Sequence, residues 1–293
     1  MKTALMSVLC FLVLSALGAV GRAQRMSVAE APAEDGAVVS ICVERGQIKV
    51  RGWEQKRLRV EAEGDGGIKI EQMGKDLMVL PEGGARCHRW RDVQLIVPRG
   101  TELNLRARSG DVDVDNIAEA RVRVLNGDVR ARRIARAVEA ETLSGNVELT
   151  DITGSARVKT MSGDVEIRNA RGRSFVDSLD VRLASGDLML SNIDYARVVA
   201  EALSGSIRLD GTVKNGRYDL KTLSGDIRLE LPSTASFRFN VKLLLGGEFQ
   251  SDFAFKREDG VTNPSLRLTG ANGRGEAVLN LVSLSGKIVL HRR

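Results

Sequence analysis

The stretch AVEAETLSGNVELTDITGSARVKTMSGDVEIRNAR, residues 137–171, carries one phrase twice, Ser144-Gly145-Asn146-Val147 and Ser162-Gly163-Asp164-Val165, eighteen residues apart. In each copy apolar residues stand three and five places after the serine, Val147 and Leu149, then Val165 and Ile167. That alternation has the period of a strand, and the glycine before it supplies the positive φ of a tight corner. Another apolar residue, Ala140 or Val158, lies four places before each serine and seeds a second strand on the other side of the turn.

Moving outward, the phrase of Ser or Asn, Gly, a polar residue and an aliphatic one begins at Ser109, Asn126, Ser144, Ser162, Ser185, Ser204, Ser224 and Ser285. Its glycines are Gly110, Gly127, Gly145, Gly163, Gly186, Gly205, Gly225 and Gly286. The intervals are 17, 18, 18, 23, 19 and 20 residues, and then 61. A degenerate ninth copy sits at Arg45-Gly46-Gln47-Ile48. A unit of this size cannot bury its own apolar face, whereas stacked units satisfy one another's backbone groups and pile Val, Ile and Leu into ladders. A sandwich or meander of hairpins also uses short alternating strands. The regular period favours an all-β, single-stranded parallel β-helix-like solenoid of roughly 18-residue coils with an irregular β N-terminal cap.

The flanks divide the chain. Residues 1–23 read as a signal peptide, with Lys2, an apolar run from Ala4 to Val20 and the small-residue end Gly21-Arg22-Ala23, so that the mature chain begins at Gln24. Residues 24–37 read as a flexible leader and 38–100 as the N-terminal β cap. Residues 101–293 read as the repeats with a C-terminal capping segment, in which Phe237, Phe239, Phe249, Phe253 and Phe255 gather where the repeat lapses. No segment after the signal is long enough to span a bilayer.

Composition narrows the function. Net charge is +6, falling to +4 without the signal, and the basic residues are interleaved with acids rather than set in a stripe, which argues against a nucleic-acid partner. Export leaves Cys42 and Cys87, which pair as a disulfide or stand as two small buried hydrophobes. No cofactor is expected and no metal site. His88 adjoins Cys87 without further ligands at a useful spacing, and the turn acids Asp111, Asp128, Asp164, Asp187 and Asp226 are interrupted by Asn146, Ser206 and Lys287, so an acid bonded to its own turn is favoured over a calcium row. Catalysis on a polysaccharide would need paired carboxylates in a cleft and aromatic platforms. Here the acids are spread evenly and only 4% of residues are aromatic.

In order along the chain, Gly46-Gln47-Ile48-Lys49-Val50-Arg51-Gly52-Trp53, Val97-Pro98-Arg99-Gly100, the Ser-Gly-Asp copies and the closing Ser283-Leu284-Ser285-Gly286-Lys287-Ile288-Val289-Leu290 resemble a bacterial family of candidate adhesins, a domain of unknown function marked by repeated Ser-Gly-Asp-Val turns. The resemblance spans residues 38 to 293 and implies a β-helix-like body at the cell surface or in the periplasm. It supplies no binding residues. The expectation is an exported, non-enzymatic envelope solenoid, an adhesin or scaffold for an unidentified protein or polysaccharide of the envelope or surface. The alternative is a periplasmic sensor in envelope stress, docking through the phenylalanine segment or the cap.

Overall fold

The structure is a computed structural model describing residues 26–64, 66–83, 87–211, 213–258 and 266–293; the expected signal segment lies outside these. Among the described residues the strands form two sheets, of fourteen and thirteen strands. Each coil gives one strand to each. In the coil quoted first, Ala137–Ser144 belongs to the fourteen-stranded sheet, here the leading sheet, and Val147–Thr153, after the Ser-Gly turn, to the thirteen-stranded or trailing sheet.

Parallel pairing repeats this register from coil to coil. Val129, Val147, Val165, Leu188, Ile207 and Ile227 are stacked one on the next in the trailing sheet, as are Val122, Ala140, Val158, Val181, Ala200 and Leu220 in the leading sheet. All are buried, so the core is a double wall of ladders between the sheets. At the second corner, where each coil returns to the leading sheet, Asn116, Arg133, Asp151, Asn169 and Asn192 take φ of 52 to 61°. Each stands seven residues after its turn serine or asparagine, and Asn and Asp are the non-glycine residues most tolerant of that conformation. Side chains join these corners across coils, Asn169 Nδ2 donating to Asp151 Oδ1 at 3.0 Å and Asn192 Nδ2 to Asn169 Oδ1 at 2.9 Å.

The two ends share a topology. The degenerate coil, Val38–Arg45 and Gln47–Trp53, pairs directly with the Ser109 coil, Arg45 opposite Ser109 and Ile48 opposite Val112. The closing coil, Ala277–Ser285 and Lys287–Arg292, likewise pairs with the Ser224 coil despite the 61-residue gap, Ser285 opposite Ser224 and Ile288 opposite Ile227. The intervening excursions form the caps outside these coils. At the C-terminal end Phe237–Leu243 lies on the outer side of Ala277–Ser285, and Leu266–Asn272 and Phe255–Glu258 follow antiparallel. At the N-terminal end Asp76–Pro81 and Ile68–Met73 extend one sheet while Asp92–Pro98, Arg57–Glu63 and Met26–Pro32 extend the other.

The expectation of a flexible leader over residues 24–37 does not hold from Met26 to Pro32. That segment is an edge strand antiparallel to Arg57–Glu63, with Glu30 paired to Arg57 at 3.2 Å and Arg59 at 3.4 Å. Cys42 and Cys87 are joined by a disulfide tying the first coil to the cap. Beside it, buried His88 stacks on Trp90 with ring centroids 3.4 Å apart, and its Nε2–H donates to the Val79 carbonyl at 3.1 Å.

Burial pushes the His88 imidazole down to about 4. The unfolded chain takes up that proton near its ordinary value of about 6.5, while the folded chain refuses it until about 4. Below about pH 6.5 the unfolded state therefore binds more protons, and stability falls until about pH 4, by about 2 to 3 kcal/mol in all. A pH series of thermal melts is expected to show this loss for the native chain and a flatter curve for His88→Gln.

Candidate binding face

Strand alternation turns the positions five, three and one before each turn outward from the leading sheet. The row at minus three reads Arg106, Arg123, Glu141, Lys159, Arg182, Glu201 and Lys221, in register through the parallel pairing. Two glutamates, Glu141 and Glu201, each stand between basic neighbours of the row. Arg123 donates to Glu141 at 2.8 Å and Lys159 lies 3.3 Å from the same carboxylate; Arg182 and Lys221 flank Glu201 at 3.7 and 3.1 Å. The hydrogen bond from Arg123, aided by Lys159, holds the Glu141 carboxyl below its usual range.

The row beside the turns is of another kind. Leu125, Leu143, Met161, Ala184, Leu203 and Leu223 precede successive turns, and the large members are 45 to 58% exposed. Six rungs at the strand spacing make an apolar ridge about 24 Å long. Between this ridge and the charged row runs a groove of about 750 Å³, floored by Val124, Thr142, Thr160 and Leu183, with no aromatic ring in its lining. The side chains of the ridge are contiguous and rimmed by polar residues, unlike singly scattered surface hydrophobes. The signal was in the sequence, since the residue before seven of the eight turns is Leu, Met or Ala. Reading only the inward-facing positions passes over it.

The residues singled out from the sequence lie elsewhere. The turn glycines line one edge of the solenoid at φ between 127 and 156°. The turn acids do not bond their own turns. Asp111 Oδ1 accepts from the backbone N–H of Asp128 at 3.0 Å, Asp128 from Asn146 at 2.9 Å, Asn146 from Asp164 at 2.9 Å, Asp164 from Asp187 at 2.9 Å, Asp187 from Ser206 at 2.8 Å and Asp226 from Lys287 at 2.8 Å. The short side chain reaches the next coil because parallel stacking brings that donor nearer than any within its own corner. Among the described residues no three of His, Cys, Asp and Glu lie together as a metal-binding set. His88 is in the N-terminal cap, and His291 is at the other end of the stack, 3.1 Å from Asp252.

The phenylalanine cluster is closed. Phe237 and Phe239 are wholly buried, Phe253 meets Phe237 edge-on at 4.9 Å, Phe249 packs against Phe239, and only Phe255 is open, at 46%. It is the core of the C-terminal cap.

No helix among the described residues is long and apolar enough to cross a membrane. No curated protein matches the chain. Three solved structures resemble it at low identity. A candidate adhesin from Bacteroides fragilis is 12% identical, with 92% of this chain and 97% of that one covered and a TM-score of 0.44. A candidate lipid binding protein from Parabacteroides distasonis is 11% identical, with 89% and 96% covered and a TM-score of 0.41. A candidate cell adhesion protein from Clostridium sporogenes is 10% identical, with 92% and 100% covered and a TM-score of 0.25. The family model described as Toastrack DUF4097 matches residues 33–291, nearly the whole of the chain, and the protein belongs to that family.

Proposed function

We propose that this protein is an exported, non-enzymatic solenoid of the bacterial cell envelope, an adhesin or scaffold that holds a protein ligand along the outer face of its leading sheet. The observation that carries this reading is the apolar ridge from Leu125 to Leu223, left open beside a row of charged residues that is partly paired within itself. A ridge of aliphatic side chains with no aromatic platform suits an apolar protein segment better than a polysaccharide. The sensor alternative, docking through the phenylalanine segment or the N-terminal cap, is less favoured at the first of these, because Phe237, Phe239 and Phe253 are buried inside the C-terminal cap.

The mature chain from Gln24, immobilised and challenged with envelope fractions, is expected to retain a ligand that protease treatment of the fraction removes. Because the ridge residues are exposed, Leu143→Glu with Met161→Glu and Leu203→Glu should leave the thermal midpoint nearly unchanged while weakening retention more than tenfold, since each large apolar anchor buried in a complex contributes about 1.5 to 3 kcal/mol. Equal retention by the triple variant would sink the assignment of the face. A ligand that survives protease would sink the protein partner.

A further inference from the structure

The interval from Ser162 to Ser185 is the longest of the first six, five residues beyond eighteen, and its excess is at the loop 172–177 of the second corner. At its tip Phe175 and Val176 are 93 and 87% exposed, more than any other large apolar side chain among the described residues. The loop is nevertheless built. Asp177 Oδ2 accepts from the N–H of Arg173 at 2.7 Å, the N–H of Ser174 at 2.9 Å and the Ser174 hydroxyl at 3.2 Å, while Oδ1 accepts from the Ser155 hydroxyl at 3.0 Å. The Asp177 N–H closes the turn on the Ser174 carbonyl at 3.2 Å. Beneath it lies Tyr195, 2% exposed, donating to the Gly154 carbonyl at 2.7 Å. The fold needs none of the excess residues, since neighbouring coils turn the same corner without them.

Arg173 is on the loop, Arg171 ends the strand that leads into it, and Arg197 opens the strand of the next coil in register with Ser178, just past the loop. All three are exposed, and none forms an ion pair with an acid among the described residues. The neighbouring acid Asp194 is already paired with Lys214. Two apolar side chains are thus held almost fully in water on a braced loop, with three exposed guanidinium groups that no acid pairs nearby in the chain and in the next coil. Together they match the chemistry of an anionic lipid surface, which takes an apolar tip and basic residues together.

We propose that Phe175 and Val176 insert at the headgroup boundary of an anionic lipid bilayer while Arg171, Arg173 and Arg197 lie on the lipid phosphates. This contact is at the corner opposite the Ser-Gly turns and is independent of the ridge.

The test uses the full mature chain and vesicles of equal parts phosphatidylglycerol and phosphatidylethanolamine, with phosphatidylcholine vesicles as the neutral comparison. The native chain is expected to sediment with the anionic vesicles, less so at high salt, and weakly with phosphatidylcholine. Phe175→Ser with Val176→Ser should weaken that binding about tenfold or more, and Arg171→Gln with Arg173→Gln about tenfold at low salt. Both variants should melt with the native chain and retain the envelope ligand held by the ridge, so that failure here is distinguishable from failure of the proposed function. A Phe175→Trp chain should show blue-shifted emission on vesicles beyond that of the native tryptophans. The proposal is overturned if the native chain ignores anionic vesicles, if the tip variant binds as tightly as the native chain, or if a photocrosslinker at position 175 captures a protein from cells while vesicles go unbound.

Discussion

Gly163→Ala is expected to lower the unfolding free energy by more than about 4 kcal/mol, or to prevent folding altogether, as read by urea denaturation followed by circular dichroism. Two effects add at this residue. Its φ of +136° is a conformation side chains rarely adopt, which costs about 1 to 3 kcal/mol. Its Cβ would also stand 2.2 Å from the carbonyl oxygen of Gly145 in the coil below, well inside contact distance. Neither neighbour can yield, because the Gly163 N–H donates to Ser185 and the Gly145 N–H to Ser162, so relief must separate coils whose hydrogen bonds and ladders depend on their spacing. Gly74→Ala is the comparison with a positive φ, in the milder left-handed helical region, and no backbone contact. Gly74 has φ of +64° and open space on the side its new methyl group would occupy, nothing lying within 4 Å, and only about 1 kcal/mol of conformational cost is expected there. Equal costs at the two positions would refute the stacked-corner explanation.

How far the sequence reveals the molecule depends on whether a residue's partner is local. The turn and its flanking apolar positions are local, so Val147, Leu149 and Ala140 betray both strands and their inward faces. The second corner was equally available, in the Asn or Asp seven places after the turns at Ser109, Ser144, Ser162 and Ser185, but Arg133 and Gly211 break its spelling while keeping a positive φ. The acids at the turns mislead because a local rule ties Asp to its own backbone, whereas the stack offers a donor from the next coil. Met26–Pro32 escapes notice for a related reason. An edge strand with no fully buried side chain shows little contrast between its faces, and its order comes from Arg57–Glu63, which is distant in sequence. The ridge from Leu125 to Leu223 needed no partner at all. It is visible once the residue before each turn is asked why it is not polar.

The place of the closing coil could not be read in this way, because a repeat that resumes after 61 residues fits either an outermost coil or an inserted one. The coil is inserted, and its removal should be severe. A chain ending at Glu276 should fail to give a monomeric, cooperatively melting protein, and size-exclusion chromatography should show aggregates. The missing segment carries Leu279, Leu281, Ile288 and Leu290, all wholly buried, and separates Arg217–Ser224 from the cap strand Phe237–Leu243 in the sheet order. Its loss leaves the backbone edge of the Ser224 coil open in both sheets and the buried faces of Phe237 and Phe239 without their neighbours, and open apolar edges pair with other chains. A monomer with an unchanged melting point would mean that the cap can slide down one coil and seat on Arg217–Ser224. Deleting Met26–Pro32 is the matched control, since that strand is already outermost and none of its side chains is fully buried, and a loss of only about 1 to 2 kcal/mol is expected. The contrast between the two deletions follows from topology, because the same backbone hydrogen bonds contribute little at a free edge and hold the stack together where both neighbours depend on them.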